Sequence, residues 1–387
     1  MATNLKQKIA VWTLMFFAAL SLPAKSNKFA AYLFTCFTGN TPEQEQIRYA
    51  LSEDGWNYTM LNGGRPVIAS DTVARKKALR DPHLLRGKDG YFYQVATDMA
   101  SSEGWDSNRG IVMMRSKDLI KWEHHSVHFP QRFEGTPFAK VTRVWAPQTI
   151  FDEETGKYMV YFSLLTNDGT IPYDKVHFCY ANDDFSNLEG EPQVLFDLKS
   201  ACIDTDIVRD DGGIYHIFFK TEGLQQKGIK QFLAKSLHNS KEWTLRDEYC
   251  QDTDEAVEGS SVFRRHDGSW VLMYDCYMNG HYQFCKSNDL LSFTQVQNTK
   301  TSDAFKPRHG TVIAITNKEA ELLRSWSLLN EGLNELCQQT ESSPTTAKAR
   351  QRDRAIRQIK ATLDGTASIK SYKAQLRKLE KFFERET

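Results

Sequence analysis

Arg80-Asp81-Pro82-His83-Leu84, Trp145-Ala146-Pro147-Gln148-Thr149, Ile203-Asp204-Thr205-Asp206-Ile207, Val257-Glu258-Gly259-Ser260-Ser261 and Arg308-His309-Gly310-Thr311-Val312 are five short stretches that fall into one register. About ten residues after each of the first four comes a glycine turn and an alternating aromatic strand. These are Gly90-Tyr91-Phe92-Tyr93, Gly156-Lys157-Tyr158-Met159-Val160-Tyr161, Gly213-Ile214-Tyr215-His216-Ile217-Phe218 and Gly268-Ser269-Trp270-Val271-Leu272-Met273-Tyr274, with glycines 66, 57 and 55 residues apart. Turn residues ahead of period-2 aromatic runs are hairpin signals, so each repeat carries a hairpin. A fifth copy of the strand, without its glycine, runs from Tyr32 to Phe37.

A third element closes each repeat. A small residue is followed by Asp and then an aromatic in Ser52 to Trp56, Ser116 to Trp122, Ala181 to Phe185 and Ser287 to Phe293, while the copy from Ser236 to Trp243 lacks the Asp. The first repeat has no opening stretch and the last opening, at His309, has no strands after it, so the two ends complete one unit. A solenoid would need capping repeats rather than a split unit, and a sandwich has no reason to repeat at this period. The bookkeeping predicts an all-β protein, a five-bladed β-propeller closed by N- and C-terminal strands in one blade, over residues 27–322.

The rest of the 387-residue chain is read separately. Lys6 and Lys8 precede an apolar run of 14 residues from Ile9 to Leu22, with Ala24 and Ser26 beyond it. That is the pattern of a secretory signal over residues 1–26, and too short to span about 30 Å of hydrocarbon at 1.5 Å per residue. A secreted or periplasmic location follows, with no membrane span. Residues 341–387 hold 12 Lys+Arg against 6 Asp+Glu, and Ile369, Tyr372, Leu376, Leu379 and Phe383 follow a helical spacing. Residues 323–387 are therefore expected to form a helical C-terminal extension after a Ser342-Ser343-Pro344 linker. Its basic amphipathic helix either packs its apolar stripe on the propeller or on itself, or meets a partner.

Composition narrows the function. With 49 Lys+Arg against 49 Asp+Glu the formal net charge is zero, which gives no reason to expect a nucleic-acid partner. Seven cysteines without a C-x-x-C pair, and no His clustered at zinc-finger spacing, argue against a disulfide framework or a zinc site.

The inner strand of each blade lines the axis of a propeller, so the second residue of each opening, Asp81, Ala146, Asp204, Glu258 and His309, should reach one shared space. Three acids from three blades cannot share a dry core, so they imply a wet pocket. Paired carboxylates across such a pocket are what glycosidic cleavage needs, one protonated for the leaving oxygen and one ionised for water. A third carboxylate raises the acid's pKa by like-charge repulsion. Trp105, Trp145 and Tyr277 offer faces for a sugar ring.

These openings resemble glycoside hydrolase family 43, whose blades open with Asp-Pro, Trp-Ala-Pro, Ile-Asp, Glu-Gly and a late His-Gly, here Asp81-Pro82, Trp145-Ala146-Pro147, Ile203-Asp204, Glu258-Gly259 and His309-Gly310. The resemblance covers roughly residues 30 to 322. It implies an inverting glycosidase with Asp81 as general base, Asp204 as pKa modulator and orienting group, and Glu258 as general acid. It also implies a carbohydrate substrate, an exo-acting α-L-arabinofuranosidase ahead of a β-xylosidase or galactosidase of the same family. The chemistry requires no cofactor, while His309 is implied to lie beside a structural calcium or sodium ion on the axis. Gln148 departs from the family, which more often has an acid after Trp-Ala-Pro; with Arg80, Arg308 and His309 it is expected to contact substrate. Arg80, Arg308 and His309 also leave open a five-bladed phosphorylase. A neighbouring retaining fructan hydrolase and a non-catalytic carbohydrate-binding propeller stay open as well.

Overall fold

Each glycine turn closes a hairpin, and each hairpin extends into a four-stranded antiparallel sheet. The computed structural model describes residues 29–223, 227–297, 299, 306–338 and 347–384, so the expected signal and the Ser342-Ser343-Pro344 linker lie outside the described residues. Among the described residues there are five four-stranded sheets. Blade I runs Gly310–Ile315, Ala31–Cys36, Arg48–Ser52, Thr59–Met60, so the C-terminal strand completes the N-terminal sheet. Blades II to V begin at the inner strands Leu79–Arg86, Val141–Asp152, Cys202–Arg209 and Glu258–Arg264, each followed by its strands in chain order. This is the five-bladed β-propeller expected from the repeats.

Aromatic and β-branched residues face each other between blades. Tyr93, Val95 and Ile111 of blade II share one buried cluster with Val160, Phe162 and Leu164 of blade III. Phe218 and Ile229 of blade IV share another with Leu272 and Tyr274 of blade V. All seven cysteines are free thiols.

The Ser-x-Asp element is a turn that satisfies its own backbone. Ser116 Oγ accepts from the N–H of Asp118 (3.1 Å) and Leu119 (2.9 Å), and Asp118 Oδ1 accepts from Ile120 (2.9 Å) and Lys121 (2.8 Å). Ser287 and Asp289 repeat the pattern on Leu290 to Ser292. Leu119 and Leu290 adopt positive φ in these turns, so the side-chain hydrogen bonds hold a conformation that a non-glycine residue resists.

The four complete inner strands share one irregularity. Arg80 pairs with Thr97 but His83 with Val95, so blade II has one extra residue there, and the same slip occurs between Trp145 and Gln148, Ile203 and Asp206, and Glu258 and Ser261. The residue that starts each bulge has left-handed φ: Asp81 (50°), Ala146 (44°), Asp204 (53°) and Gly259 (63°). This corrects the sequence register, because Gly259, not Glu258, matches Asp81 and Asp204. Glu258 sits one place earlier, level with Arg80, Trp145 and Ile203. Gly259 is also the residue with no room for a side chain, since a Cβ would lie 2.7 Å from His309 Cγ.

One step past the bulge, His83, Gln148, Asp206 and Ser261 occupy equivalent positions and are all buried. His83 Nδ1 accepts from Thr149 N–H (3.2 Å), and burial pushes its pKa down to about 3. Asp206 Oδ2 accepts from Val262 N–H (2.5 Å). Gln148, expected to contact substrate, belongs to this layer instead, where Tyr161 donates to its Oε1 (3.2 Å). It lies beyond the bulge, and strand alternation turns it away from the mouth.

The chain divides into two compact units, the propeller and a second made chiefly of residues 61–65 and 315–387 among the described ones. In the second, α1 (Asn317–Gln338), α2 (Ala347–Asp364) and α3 (Ile369–Glu384) pack together. α1 starts ahead of residue 323, set by a capping box in which Thr316 Oγ1 accepts from Glu319 N–H (3.2 Å) and Glu319 Oε2 from Thr316 N–H (2.7 Å). The expected basic helix is two helices, interrupted at Gly365, whose N–H ends α2 on Ala361 O (3.2 Å). Tyr372, Leu376, Leu379 and Phe383 are buried on α3 as their spacing requires, and Leu379 fills the space beside Gly332 of α1. No helix among the described residues is long and apolar enough to cross a membrane.

The turn and the buried layer can each be tested. Ser116→Ala should cost about 1–2 kcal/mol in chemical denaturation, because two backbone N–H groups lose their acceptor, whereas Ser236→Ala, whose turn lacks the Asp, should cost under about 0.5 kcal/mol. Equal losses would count against the turn as a structural unit. Asp206 is pushed up to about 7, first by burial, against the Val262 hydrogen bond and the His309 charge. The folded state therefore keeps a proton that the unfolded chain, with an ordinary carboxyl near 3.9, releases, and the group's contribution falls as pH rises from about 4 through 7. Asp206→Asn should accordingly gain stability relative to the wild type between pH 5 and pH 8, on the order of a few kcal/mol by urea denaturation at both pH values; an unchanged difference would rule out a protonated Asp206.

Candidate active site

The bulge breaks the alternation of the inner strands, so consecutive side chains can face the same space. Arg80 with Asp81 and Ile203 with Asp204 do so, and together with Met99, Trp105, Trp145, Glu258 and His309 they line one open pocket of about 420 Å³. Seven of the ten residues expected at the site therefore meet there. A larger pocket of about 970 Å³ lies between α2 and α3, but it is lined by Arg354, Lys378, Lys381, glutamines and apolar side chains, with no carboxylate. The acid chemistry belongs to the propeller pocket.

Each acid is held differently. Asp81 Oδ2 accepts from Thr97 Oγ1 (2.9 Å), and the same Thr97 oxygen accepts from Ala146 N–H (3.0 Å), tying the acid of blade II to the bulge of blade III. Asp204 Oδ2 accepts from Gly259 N–H (2.8 Å), tying blade IV to the bulge of blade V. His309 Nδ1 stands 3.5 Å from Asp81 Oδ1 and 3.7 Å from Asp204 Oδ1. Glu258 is held by two cations, with Arg308 Nη2 at 2.9 Å from Oε1 and Lys220 Nζ at 3.4 Å from Oε2. Arg308 also bonds Asp275, and Lys220 bonds Glu222 at 2.6 Å.

The electrostatics separate the carboxylates. Burial alone would raise Asp81, but the hydrogen bond and charge of His309, with Arg80 and Thr97, hold its pKa below the usual carboxylate value. Burial pushes Asp204 up to about 6; His309 opposes the rise, while Glu258 and Asp81 add to it. His309 is pushed up to about 9 in spite of its burial, because Asp204, Asp81 and Glu258 all favour the imidazolium. Asp81 and His309 thus form an ion pair beside a third acid that titrates near neutrality.

The aromatic wall is formed by Trp105, half exposed, set edge-on to Trp145 with centroids 6.4 Å apart. The Arg80 guanidinium lies 5.3 Å from the Trp105 ring and is bound to Glu45 Oε1 at 2.9 Å. Tyr277 and Arg308 fall outside the lining. Tyr277 lies under Lys220, 4.6 Å from Nζ, and Arg308 reaches the pocket through Glu258. Arg308 touches Glu258 directly, and Tyr277 touches the Lys220 that also reaches it.

Sequence reasoning missed Thr97, Lys220 and Asp275, yet the sequence carries a signal for them. Each lies seven residues after its turn glycine (Gly90, Gly213, Gly268), as Ser163 does after Gly156. The pairs Arg80–Thr97, Trp145–Ser163, Ile203–Lys220 and Glu258–Asp275 face each other across the first two strands. A polar, buried residue thus stands behind every bulge.

An α-L-arabinofuranosidase of Bifidobacterium longum subsp. longum is 30% identical over 204 residues, which are 47% of this chain and 18% of that protein. The chain thus spans about a fifth of the length of that curated relative. Among solved structures, a thermostable family-43 glycoside hydrolase has 20% identity and a TM-score of 0.44, over 57% of this chain and 73% of the other. The endo-arabinase of Bacteroides thetaiotaomicron VPI-5482 has 16% identity and a TM-score of 0.44, over 65% and 96%. The propeller itself rests on its sheet pairing, not on these overlaps. A family model described as a probable glycosyl hydrolase domain, related to family 43, matches residues 27–321, which is most of the chain and all five blades, and the chain belongs to that family.

Proposed function

We propose that the chain is an exported glycosidase that hydrolyses with inversion, and that it removes α-L-arabinofuranosyl groups from the ends of plant polysaccharide side chains. The observation that carries the reaction class is the meeting of Asp81, Asp204 and Glu258, from three blades, around one open pocket with an aromatic wall. The curated relative's name supports the sugar, and residues 1–26 support export. In this reading Asp81, held ionised, takes a proton from water as the water oxygen attacks the anomeric carbon. Glu258 gives its proton to the leaving oxygen as the glycosidic bond breaks. Asp204 keeps negative charge between them and orients the sugar.

A phosphorylase would need free cations around one subsite. Arg80 is committed to Glu45, and Arg308 to Glu258 and Asp275, which favours water over phosphate as the acceptor. A calcium or sodium ion fits the residues around His309 poorly. A hard cation takes oxygen ligands, whereas here a ring nitrogen holds the centre with both carboxylates 3.5 and 3.7 Å from it, and the chemistry needs no step through an ion.

Anomeric proton NMR during hydrolysis of aryl α-L-arabinofuranoside and aryl β-D-xyloside tests the reading. Inverted product from the arabinofuranoside is expected, and Asp81→Asn should lower kcat by about 10²–10⁴. Retained configuration would remove Asp81 from the base role, and turnover of the xyloside alone would change the sugar. The pH profile gives a separate check. Asp204 gains its proton as pH falls through about 6, so kcat/KM should drop below that pH, and this acid limb should disappear in Asp204→Asn, leaving a lower, flatter profile.

A further inference from the structure

Outside the pocket, three side chains of different chemistry converge at the tip of blade V. Cys276 and His281 face each other across the first rung of the hairpin between Trp270–Cys276 and His281–Ser287. The turn between them is closed by Asn279 N–H and Gly280 N–H on Cys276 O (2.8 and 3.0 Å). Paired residues of this kind project to one face of the sheet with Cβ atoms about 5 Å apart. Glu255 reaches the same point from the segment that leads into Glu258, and its Oε2 lies 2.6 Å from His281 Nε2. One ligand atom from each of the three residues lies within 4.8 Å of the other two, and among the described residues no other trio of His, Cys, Asp or Glu is this close.

The geometry points to a zinc-type divalent metal site made by Glu255, Cys276 and His281. A thiolate, an imidazole and a carboxylate are three of the ligands zinc takes, and three protein ligands leave one position for water. A hard cation such as calcium would not use the sulfur. Zinc bonds of about 2.0–2.3 Å put tetrahedral donors about 3.5 Å apart, so the ligands must close by about 1 Å. The side chains of His281 and Glu255 are 45% and 34% exposed, which leaves them free to move and gives the metal a way in, while Cys276 is fully buried behind them. On binding, the Cys276 thiol releases its proton to solvent and its sulfur donates an electron pair to the metal.

The site would brace the candidate acid from two sides. Asp275, next to Cys276, holds Arg308 on Glu258, and Tyr277, on its other side, lies under Lys220, which also reaches Glu258. The competing arrangement is a plain His281–Glu255 ion pair over a core thiol.

Cobalt(II) distinguishes the two without any assay of activity. The full-length protein, stripped with a chelator, should take up one Co²⁺ with a thiolate-to-metal charge-transfer band in the near ultraviolet and tetrahedral ligand-field bands in the visible, all displaced by Zn²⁺. His281→Gln, at the exposed tip, should weaken Co²⁺ at least about tenfold, since even outer-sphere partners of a metal are worth that much, while the metal-free melting temperature stays unchanged. Cys276→Ser should abolish the charge-transfer band. No such band in the wild type, or undiminished affinity in His281→Gln, overturns the site, as does a band that survives in folded Cys276→Ser.

Discussion

One extra residue in each inner strand of blades II to V organises the rest of this protein. A regular strand shows every second side chain to the axis, which would let each blade offer a single residue at the mouth. The bulge bends the strand and turns a left-handed residue inward next to its neighbour, so Arg80 and Asp81, or Ile203 and Asp204, line the pocket together. The unusual backbone is held by the adjacent blade. The N–H groups of Ala146 and Gly259, both in bulges, are accepted by Thr97 and by Asp204. Blade packing and site assembly are thus the same set of contacts, and a blade cannot shift without moving an acid.

The charges follow from that geometry. His309 sits where it can meet both Asp81 and Asp204, at 3.5 and 3.7 Å, because Gly259 leaves its ring the space. One imidazolium between two carboxylates lowers Asp81 but leaves Asp204 raised, since burial outweighs it there and Glu258 and Asp81 add to the rise. Glu258 is set apart, its carboxylate shared by Lys220, from the second strand of blade IV, and Arg308, just ahead of the strand Gly310–Ile315. Asp81 and Glu258 therefore stand in different electrostatic surroundings, one facing an imidazolium and the other an Arg–Lys pair.

The sequence made the propeller legible because three separate signals, the opening, the glycine strand and the Ser-x-Asp turn, repeat once per blade and the leftover pieces at the two ends complete each other. It located the acids for the same reason. Its register was wrong by one residue in blade V, since a bulge has no signature in hydrophobic alternation; the strand pairing and the left-handed φ of Gly259 show that it, and not Glu258, matches Asp81. Gln148 stands outside the pocket lining although Trp145, three residues before it, belongs to that lining, because the strand beyond the bulge returns to alternation and sends Gln148 to Tyr161. Thr97, Lys220 and Asp275 were readable from their constant distance to the turn glycines but looked like ordinary strand polars. The break at Gly365 was visible as a glycine, yet the apolar spacing of α3 drew attention past it.

Blade III separates architecture from chemistry. Ala146 carries no functional group, yet it takes the same left-handed conformation (φ 44°) as Asp81 and Asp204, at the same register and with the same following slip. A site-specific strain would have no reason to persist where there is no carboxylate to aim. The bulge is therefore a backbone property shared by blades II to V, and the acids are side chains placed on a bend that blade III makes without one. In blade III the neighbouring position carries Trp145, so the same bend that presents acid in blades II and IV presents an aromatic wall. One backbone feature, repeated with different side chains, thus produces a pocket with acids on some sides and a stacking face on another.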